Sequence, residues 1–250
     1  MTPPPRILSI AGSDSSGGAG IQADIKTITM LGGYAMTAIT AITAQNTLGV
    51  SAVEVLSPEM VLAQIDACLS DIGVDAVKIG MLGSAAIAEA VADRLEDLTV
   101  PVVFDPVMIA TSGAALANAE TIAAFERLMA LATLTTPNVA ELAALGGDAA
   151  MATRGIAFLA KGGDAEGALI EDRLITSGNV PVIWSAPRIA TRQTHGTGCT
   201  LASAIATGLG RGEPMELAIA AARAFVRSAL ESAPGFGAGH GPMGHQAVRV

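Results

Sequence analysis

Aromatic residues are nearly absent from this chain, at 3% of 250 residues. No ladder of rings exists on which bases could stack, so one common means of holding single-stranded nucleic acid is missing. Basic residues are also few: 14 Lys and Arg stand against 23 Asp and Glu, a formal charge of -9. That excess of negative charge opposes nonspecific binding to a phosphate backbone. Only two cysteines occur, Cys68 and Cys199. Their number and separation give neither a disulfide framework nor a zinc pattern, and a reducing cytoplasm is the expected setting. Hydrophobic residues make up 51% of the chain. No stretch of about 18 residues stays apolar, so no membrane span is expected. The start, MTPPPRILSI, lacks the layout of a secretory signal.

What is abundant is small: Ala and Gly supply much of the apolar count, which suits close packing of helices on a sheet. Short β-branched runs alternate with Ala-rich segments of helical period. ILSIA at 7–11 reads as a buried strand, followed by a Gly/Ser loop and a helix from about Gly18 to Leu31 with Ile21, Ile25 and Ile28 on one face. Further strands are expected in YAMTAITAI (ending near Gln45), VDAVKIG, PVVFDPV, LTTPN, IAFLAKGG, ALIEDRLI and VIWSAPRI. Helices are expected at about 58–71, 84–97 and 119–131, then one carrying Glu141, and two last ones at about 197–209 and 214–231. No linker or repeat divides the chain, so one domain over 1–250 is expected. The alternation implies a mainly parallel sheet with helices on both faces, and ligands at the carboxyl ends of its strands.

Four segments carry chemistry. In THGTGCTLASAIATGL, residues 194–209, Gly196 and Gly198 flank Thr197 where a helix begins; converging N–H groups and the helix dipole make an anion site, and an ordinary helix start capped by Thr197 is the alternative. Cys199 falls in the first turn, where a thiol pKa tends to drop, or it is simply a small buried apolar residue. AGSDSSGGAGIQAD, residues 11–24, is a strand-to-helix loop without the GxGxxG or Walker pattern; Asp14 and Asp24 either grip a ligand or cap the turn. Asp105, Asn138 and Glu141 fall at strand ends on one rim, as a hydrated magnesium ion requires, or Asn138 caps a helix that Glu141 continues. Lys161, one of only three lysines, precedes two glycines and can reach phosphates, or is an exposed turn residue. Lys78 lies in an apolar strand and needs a structural partner. His195 either lines a nucleotide pocket or is a part-exposed loop residue. His240 and His245 fall in a Gly-rich tail with no readable role.

AGSDSSGGAGIQADIKT, ITAQNTLGV, VKIGML, VFDPVM, LTTPNVAEL, KGG and THGTGC occur in that order over roughly residues 6–245. Together they resemble the hydroxymethylpyrimidine and phosphomethylpyrimidine kinases of thiamine synthesis, of the ribokinase-like superfamily. The resemblance implies a three-layer ribokinase-like α/β fold, often a homodimer. It implies ATP as co-substrate, Mg2+ as cofactor, and a small pyrimidine substrate, with no nucleic-acid or membrane partner. Gly12, Ala19, Asp24, Gln45, Met81 and Val107 would touch the pyrimidine. Gly196, Thr197 and Gly198 would form the anion hole, with Cys199 as the base. Asn138, Lys161, Thr194 and His195 would lie on the ATP side, with Asp105 and Glu141 toward the metal. A pyridoxal kinase-like enzyme and a non-catalytic pyrimidine binder are the alternatives. Family members usually carry a further full helix between LTTPNVAELAALGG and AFLAKGG; here only DAAMATRGI fills it, so a short crossover or a less covered strand is expected.

Overall fold

The computed structural model describes residues 3–108 and 116–249. Its strands are β1 (Arg6–Asp14), β2 (Tyr34–Asn46), β3 (Gly49–Val55), β4 (Ala76–Ile79), β5 (Val102–Phe104), β6 (Leu134–Thr135), β7 (Phe158–Ala160), β8 (Leu169–Ile175) and β9 (Val182–Pro187). The helices are α1 (Gly20–Met30), α2 (Pro58–Ala67), α3 (Ala85–Leu95), α4 (Ala119–Leu131), α5 (Val139–Ala144), α6 (Gly147–Thr153), α7 (Thr197–Gly210) and α8 (Met215–Glu231). The strands form one sheet in the order β3-β2-β1-β4-β5-β6-β7-β8-β9. β2 through β7 run parallel to one another, while β3, β8 and β9 are antiparallel additions at the two edges. The chain order reverses beside β1, and an open α/β sheet binds its ligands outside the carboxyl ends of the strands at such a point.

Side-chain alternation builds the two outer layers. Leu8, Ile10, Val77, Ile79, Val102 and Phe104 pack with residues of α2, α3 and α4, where Phe125 meets Phe104 edge to face at 5.1 Å. Ile7, Ala76 and Val103 point the other way, onto Leu201, Ile205 and Leu209 of α7 and Ile28 of α1. By the same period of two, Ser9, Lys78 and Asp105 belong to the α1/α7 side.

Three features differ from the sequence reading. Ile25 is 39% exposed, because the buried stripe of α1 is Ile21, Asp24, Thr27 and Ile28 instead. The helix turns Asp24 inward to meet Lys78, a pairing that hydrophobic periodicity does not report. The interval between Asn138 and β7 is not bare: α5 and α6 both fill it, with Leu145 and Met151 buried against the β5 side of the core. The tail is ordered as a strap. His240 N–H donates to Thr47 O at 2.9 Å, and Gly241 O accepts from His195 N–H at 3.1 Å. His245, driven down to a pKa of about 4 by burial, meets Thr200 Oγ1 at 2.8 Å. Among the described residues no helix is long and apolar enough to cross a membrane.

Candidate active site

The start of α7, like those of α1, α6 and α8, has no side-chain cap. Ser57, Ser84, Asn118 and Asn138 each cap their own helix through a side-chain oxygen. Gly196 occupies the corresponding position of α7, with φ at +85° and no capping side chain, and Thr197 is already inside the helix. Thr197 N–H turns back to Thr194 O at 3.3 Å, and no side chain caps the helix start that follows, an arrangement that suits an anion. A side chain at Gly196 would put its Cβ 1.9 Å from Gly18 O, so only glycine allows the two loops to interlock here.

The acidic and basic groups of the rim converge on this helix start. Lys161 Nζ lies 2.7 Å from Asp105 and 3.9 Å from Glu141. A Cβ on Gly198 would stand 3.3 Å from both Asp105 Oδ2 and Lys161 Nζ. Thr136 Oγ1 donates to Asp105 Oδ1 at 2.9 Å. Burial opposes the lysine charge, but Asp105 and Glu141 outweigh it and hold Lys161 above its ordinary pKa. Glu141 goes the other way: burial and Asp105 raise it to about 7 against the pull of Lys161. Asn138 and Glu141 also form a reciprocal cap on α5, at 2.9 and 2.8 Å, so the expected rim position and the plain helix-capping alternative both hold. Gly162 is required behind Lys161, since a Cβ there would meet Glu171 O at 2.1 Å.

A second pair lies beneath Cys199. Lys78 and Asp24 are both fully buried, with Nζ 2.9 Å from Oδ2 and 3.1 Å from Oδ1. Ser9 and Ser203 add hydroxyl donors at 2.5 and 2.7 Å. Asp24, expected to touch the substrate, here turns its carboxylate to Lys78, Ser9 and Ser203 in four polar contacts and ties α1 to β1, β4 and α7. Cys199, part-open at the surface, departs from the expected lowering of its pKa. Burial pushes its thiol up to about 11, Lys78 opposes the rise, and Asp24 and Asp105 add to it. Desolvation by the packed loops outweighs the helix-terminus effect that would lower it.

The substrate-side expectations gather in part. Met81 lies over Gly12, its Cε 2.6 Å from where a Cβ would be, and its carbonyl accepts from Thr40 at 2.6 Å. Ala19 abuts Gly196, and Val107 is half-buried two residues beyond Asp105. Gln45 Nε2 lies 3.2 Å from His195 Nε2. His195, expected on the nucleotide side, is thus beside Gln45, and Asp14 Oδ2 holds the same ring nitrogen at 2.8 Å. Asp14 also accepts from the N–H groups of Ser16, Gly18 and Ala19 at 2.8, 3.0 and 2.8 Å. Burial works against its charge, yet His195 and these donors bring it down to about 2. Thr194 directs its hydroxyl to His240 Nδ1 at 3.1 Å. The Asp14–His195 pair and the Lys78–Asp24 pair were not assigned from sequence. Their members are 181 and 54 residues apart, so no local spacing signals them.

No group of three or more His, Cys, Asp or Glu among the described residues forms a metal cage. Two carboxylates beside a lysine would suit Mg2+ instead, which takes one or two carboxylates and otherwise water and substrate phosphates.

Comparison with known proteins agrees with this geometry. The family model described as phosphomethylpyrimidine kinase matches residues 14–244. The hydroxymethylpyrimidine/phosphomethylpyrimidine kinase of Rhizobium meliloti strain 1021 is 49% identical over 255 residues, covering 95% of this chain and 96% of that one. A crystal structure of phosphomethylpyrimidine kinase from Clostridium difficile 630 superposes with a TM-score of 0.76 at 37% identity, over 90% of this chain and 99% of that one. Pyridoxal kinase from Staphylococcus aureus, in complex with AMP-PCP and pyridoxal, superposes with a TM-score of 0.88 at 31% identity, over 98% and 96%.

Proposed function

The chain belongs to the phosphomethylpyrimidine kinase family, and from that membership we infer an ATP-dependent kinase that phosphorylates hydroxymethylpyrimidine and then its monophosphate, in thiamine synthesis. The observation that carries the residue roles is the convergence of Lys161, Asp105 and Gly198 on the uncapped start of α7. Phosphoryl transfer is mostly positioning and charge stabilisation. In this reading Gly196, Thr197, Gly198 and Cys199 offer backbone N–H groups to the transferring phosphoryl. Lys161 would offset charge on the ATP phosphates, with Asn138 and Thr194 assigned to the ATP side by the family resemblance. Asp105 and Glu141 would hold Mg2+, which supplies charge neutralisation on the phosphates when bound. Gly12, Met81, Ala19 and Val107 wall the pyrimidine, and Gln45 reads its amine-bearing edge.

Cys199 enters as a thiol rather than a resting thiolate, because its pKa of about 11 leaves it protonated near neutrality. It can take the alcohol proton only in the small ionised fraction. The second step needs no such base, since the attacking phosphate has a second pKa of about 6 and is ionised already.

One observation favours testing pyridoxal too: the pyridoxal kinase superposes with the higher TM-score, 0.88 against 0.76. A coupled ADP-release assay with hydroxymethylpyrimidine, its monophosphate and pyridoxal in parallel decides the matter. Turnover of both pyrimidines is expected, and turnover of pyridoxal alone overturns the reading. The two cysteines, both free, fit a reducing cytoplasm. A homodimer is proposed as well, in keeping with the half-exposed Ile42, Val53 and Val55 along β2 and β3. Sedimentation of a single 25 kDa species would refute it.

A further inference from the structure

We infer that His195, held by Asp14, fixes which way the Gln45 amide faces, and thereby requires the amine of the substrate to lie on the His195 side of its ring nitrogen. The inference rests on the reading that Gln45 touches the pyrimidine.

The atoms are these. His195 is 4% exposed, and its ring packs on Gly18, where a Cβ would come within 2.4 Å of it. Its main-chain N–H is held by Gly241 O at 3.1 Å. The ring therefore has little freedom to turn. Asp14 Oδ2, 2.8 Å from Nε2, is a carboxylate oxygen and can only accept. Nε2 must carry a proton. The amide as placed puts Gln45 Nε2 3.2 Å from the same Nε2, donor against donor; turned over about its last bond it presents Oε1 there instead, and that is the orientation the Asp14–His195 pair favours. Which end of an amide is oxygen is settled by its neighbours in this way.

The other end of the amide, Oε1 as placed and Nε2 once turned over, is compatible with this orientation. It lies 3.2 Å from Thr43 Oγ1, and that hydroxyl reaches Ser13 O at 3.0 Å. Thr43 has one proton, which goes to Ser13 O. Its oxygen is then an acceptor, suited to the Gln45 N–H. With oxygen toward His195 and nitrogen toward Thr43, no donor faces a donor along Asp14–His195–Gln45–Thr43–Ser13, and the single Nε2–H of His195 is shared between Asp14, the nearer acceptor, and the Gln45 oxygen.

The Gln45 amide keeps one N–H and one lone pair beyond this chain. Their order is fixed: N–H on the Thr43 side, carbonyl on the His195 side. A ring nitrogen beside an amine is the matching edge, with the nitrogen accepting from the N–H and the amine donating to the carbonyl. A ring that lacks the adjacent amine, as in pyridoxal, leaves the carbonyl unpaired. A free Gln side chain could turn over to suit either edge; one locked by His195 cannot. His195 is thus a positioning residue for specificity, acting through Gln45.

The test compares His195→Leu, which removes the N–H donor, with His195→Gln, which keeps a donor at a similar reach. For His195→Leu the KM for hydroxymethylpyrimidine should rise about tenfold to a hundredfold, the effect of one lost buried polar contact. The kcat should stay within about threefold, and KM for ATP within about twofold. His195→Gln should recover most of the loss. In a Gln45→Leu background, His195→Leu should add nothing further. A larger rise in KM for ATP than for the pyrimidine, or an unchanged pyrimidine KM, overturns the inference. If Gln45→Leu itself leaves the pyrimidine KM unchanged, the underlying contact is wrong; if it raises KM while His195→Leu does not, only the locking is wrong. Should His195→Leu fail to fold, Thr43→Val tests the other end of the amide: a several-fold rise in pyrimidine KM supports the locked orientation, and no rise refutes it.

Discussion

Replacing Lys78 by methionine removes one member of an ion pair that has no exposed surface. Methionine is close to lysine in length, so the change creates little cavity. What it leaves is the Asp24 carboxylate, fully buried, with only the Ser9 and Ser203 hydroxyls at 2.5 and 2.7 Å to satisfy it. Breaking a buried pair in this way costs about 3–5 kcal/mol. For a chain of this length each kcal/mol moves Tm by about 2–4 °C, so a fall of about 6–20 °C is expected. A second route gives a smaller figure for a stated reason. Burial works against the Lys78 charge, but Asp24 more than offsets it and lifts the pKa from 10.5 to about 12. That rise corresponds to about 2 kcal/mol. The stabilisation is present below pH 10.5 and is lost as pH rises through about 12. It is smaller because a neutral lysine still donates a hydrogen bond to Asp24, which methionine cannot. Adding Asp24→Asn removes the stranded charge and should restore stability to within about 1 kcal/mol of the parent. Thermal and denaturant unfolding of the two singles and the double measure the cycle. A loss below about 1 kcal/mol for Lys78→Met, or a double variant no more stable than that single, would refute the account.

Glu141→Gln should raise Tm at pH 8 by a few degrees, without nucleotide or metal, yet leave it nearly unchanged at pH 5. The folded state holds the Glu141 proton up to about 7, so its stabilising effect is lost as pH climbs through that value, and glutamine escapes the loss. Equal Tm differences at the two pH values would count against it. Lys161→Ala should lower kcat about a hundredfold and raise KM for ATP, as loss of one charged contact to the transition state does; both parameters within twofold of the parent would make Lys161 a bystander. With the Cys199 thiol at about 11, the first phosphorylation should rise with pH up to at least 9, by as much as about tenfold per unit where the thiolate limits. That rise should be absent in Cys199→Ala and in the second phosphorylation. A first-step rate that levels off below pH 8 would show a lowered thiol pKa instead.

The elements were legible because their signals are local. Alternation and helical period marked β1, β4, β5 and the stripe Leu201, Ile205, Leu209, and glycines at 196 and 198 marked where α7 starts. Motif order carried the family. The helix expected to carry Glu141 is α5; β3 was missed because it is exposed on both faces and buries no apolar stripe, and α6 because seven residues make less than two turns.

Composition and pattern by themselves determined a mainly parallel α/β sheet, a glycine-flanked helix start at 196–198 and the residue types gathered at the strand ends, since each depends on neighbours within a few positions. Only the tertiary structure decided how charge and burial are shared. Asp24 looked like a ligand contact until the sheet brought Lys78, 54 residues away, to 2.9 Å. His195 looked nucleotide-facing until the loops joined it to Asp14 across 181 residues. Cys199 looked acidic at a helix start until packing desolvated its thiol. Spacing along the chain predicts which groups can meet within one element. Desolvation and long-range pairing depend on what the other elements place around them, and so are set only when the sheet and both helix layers close.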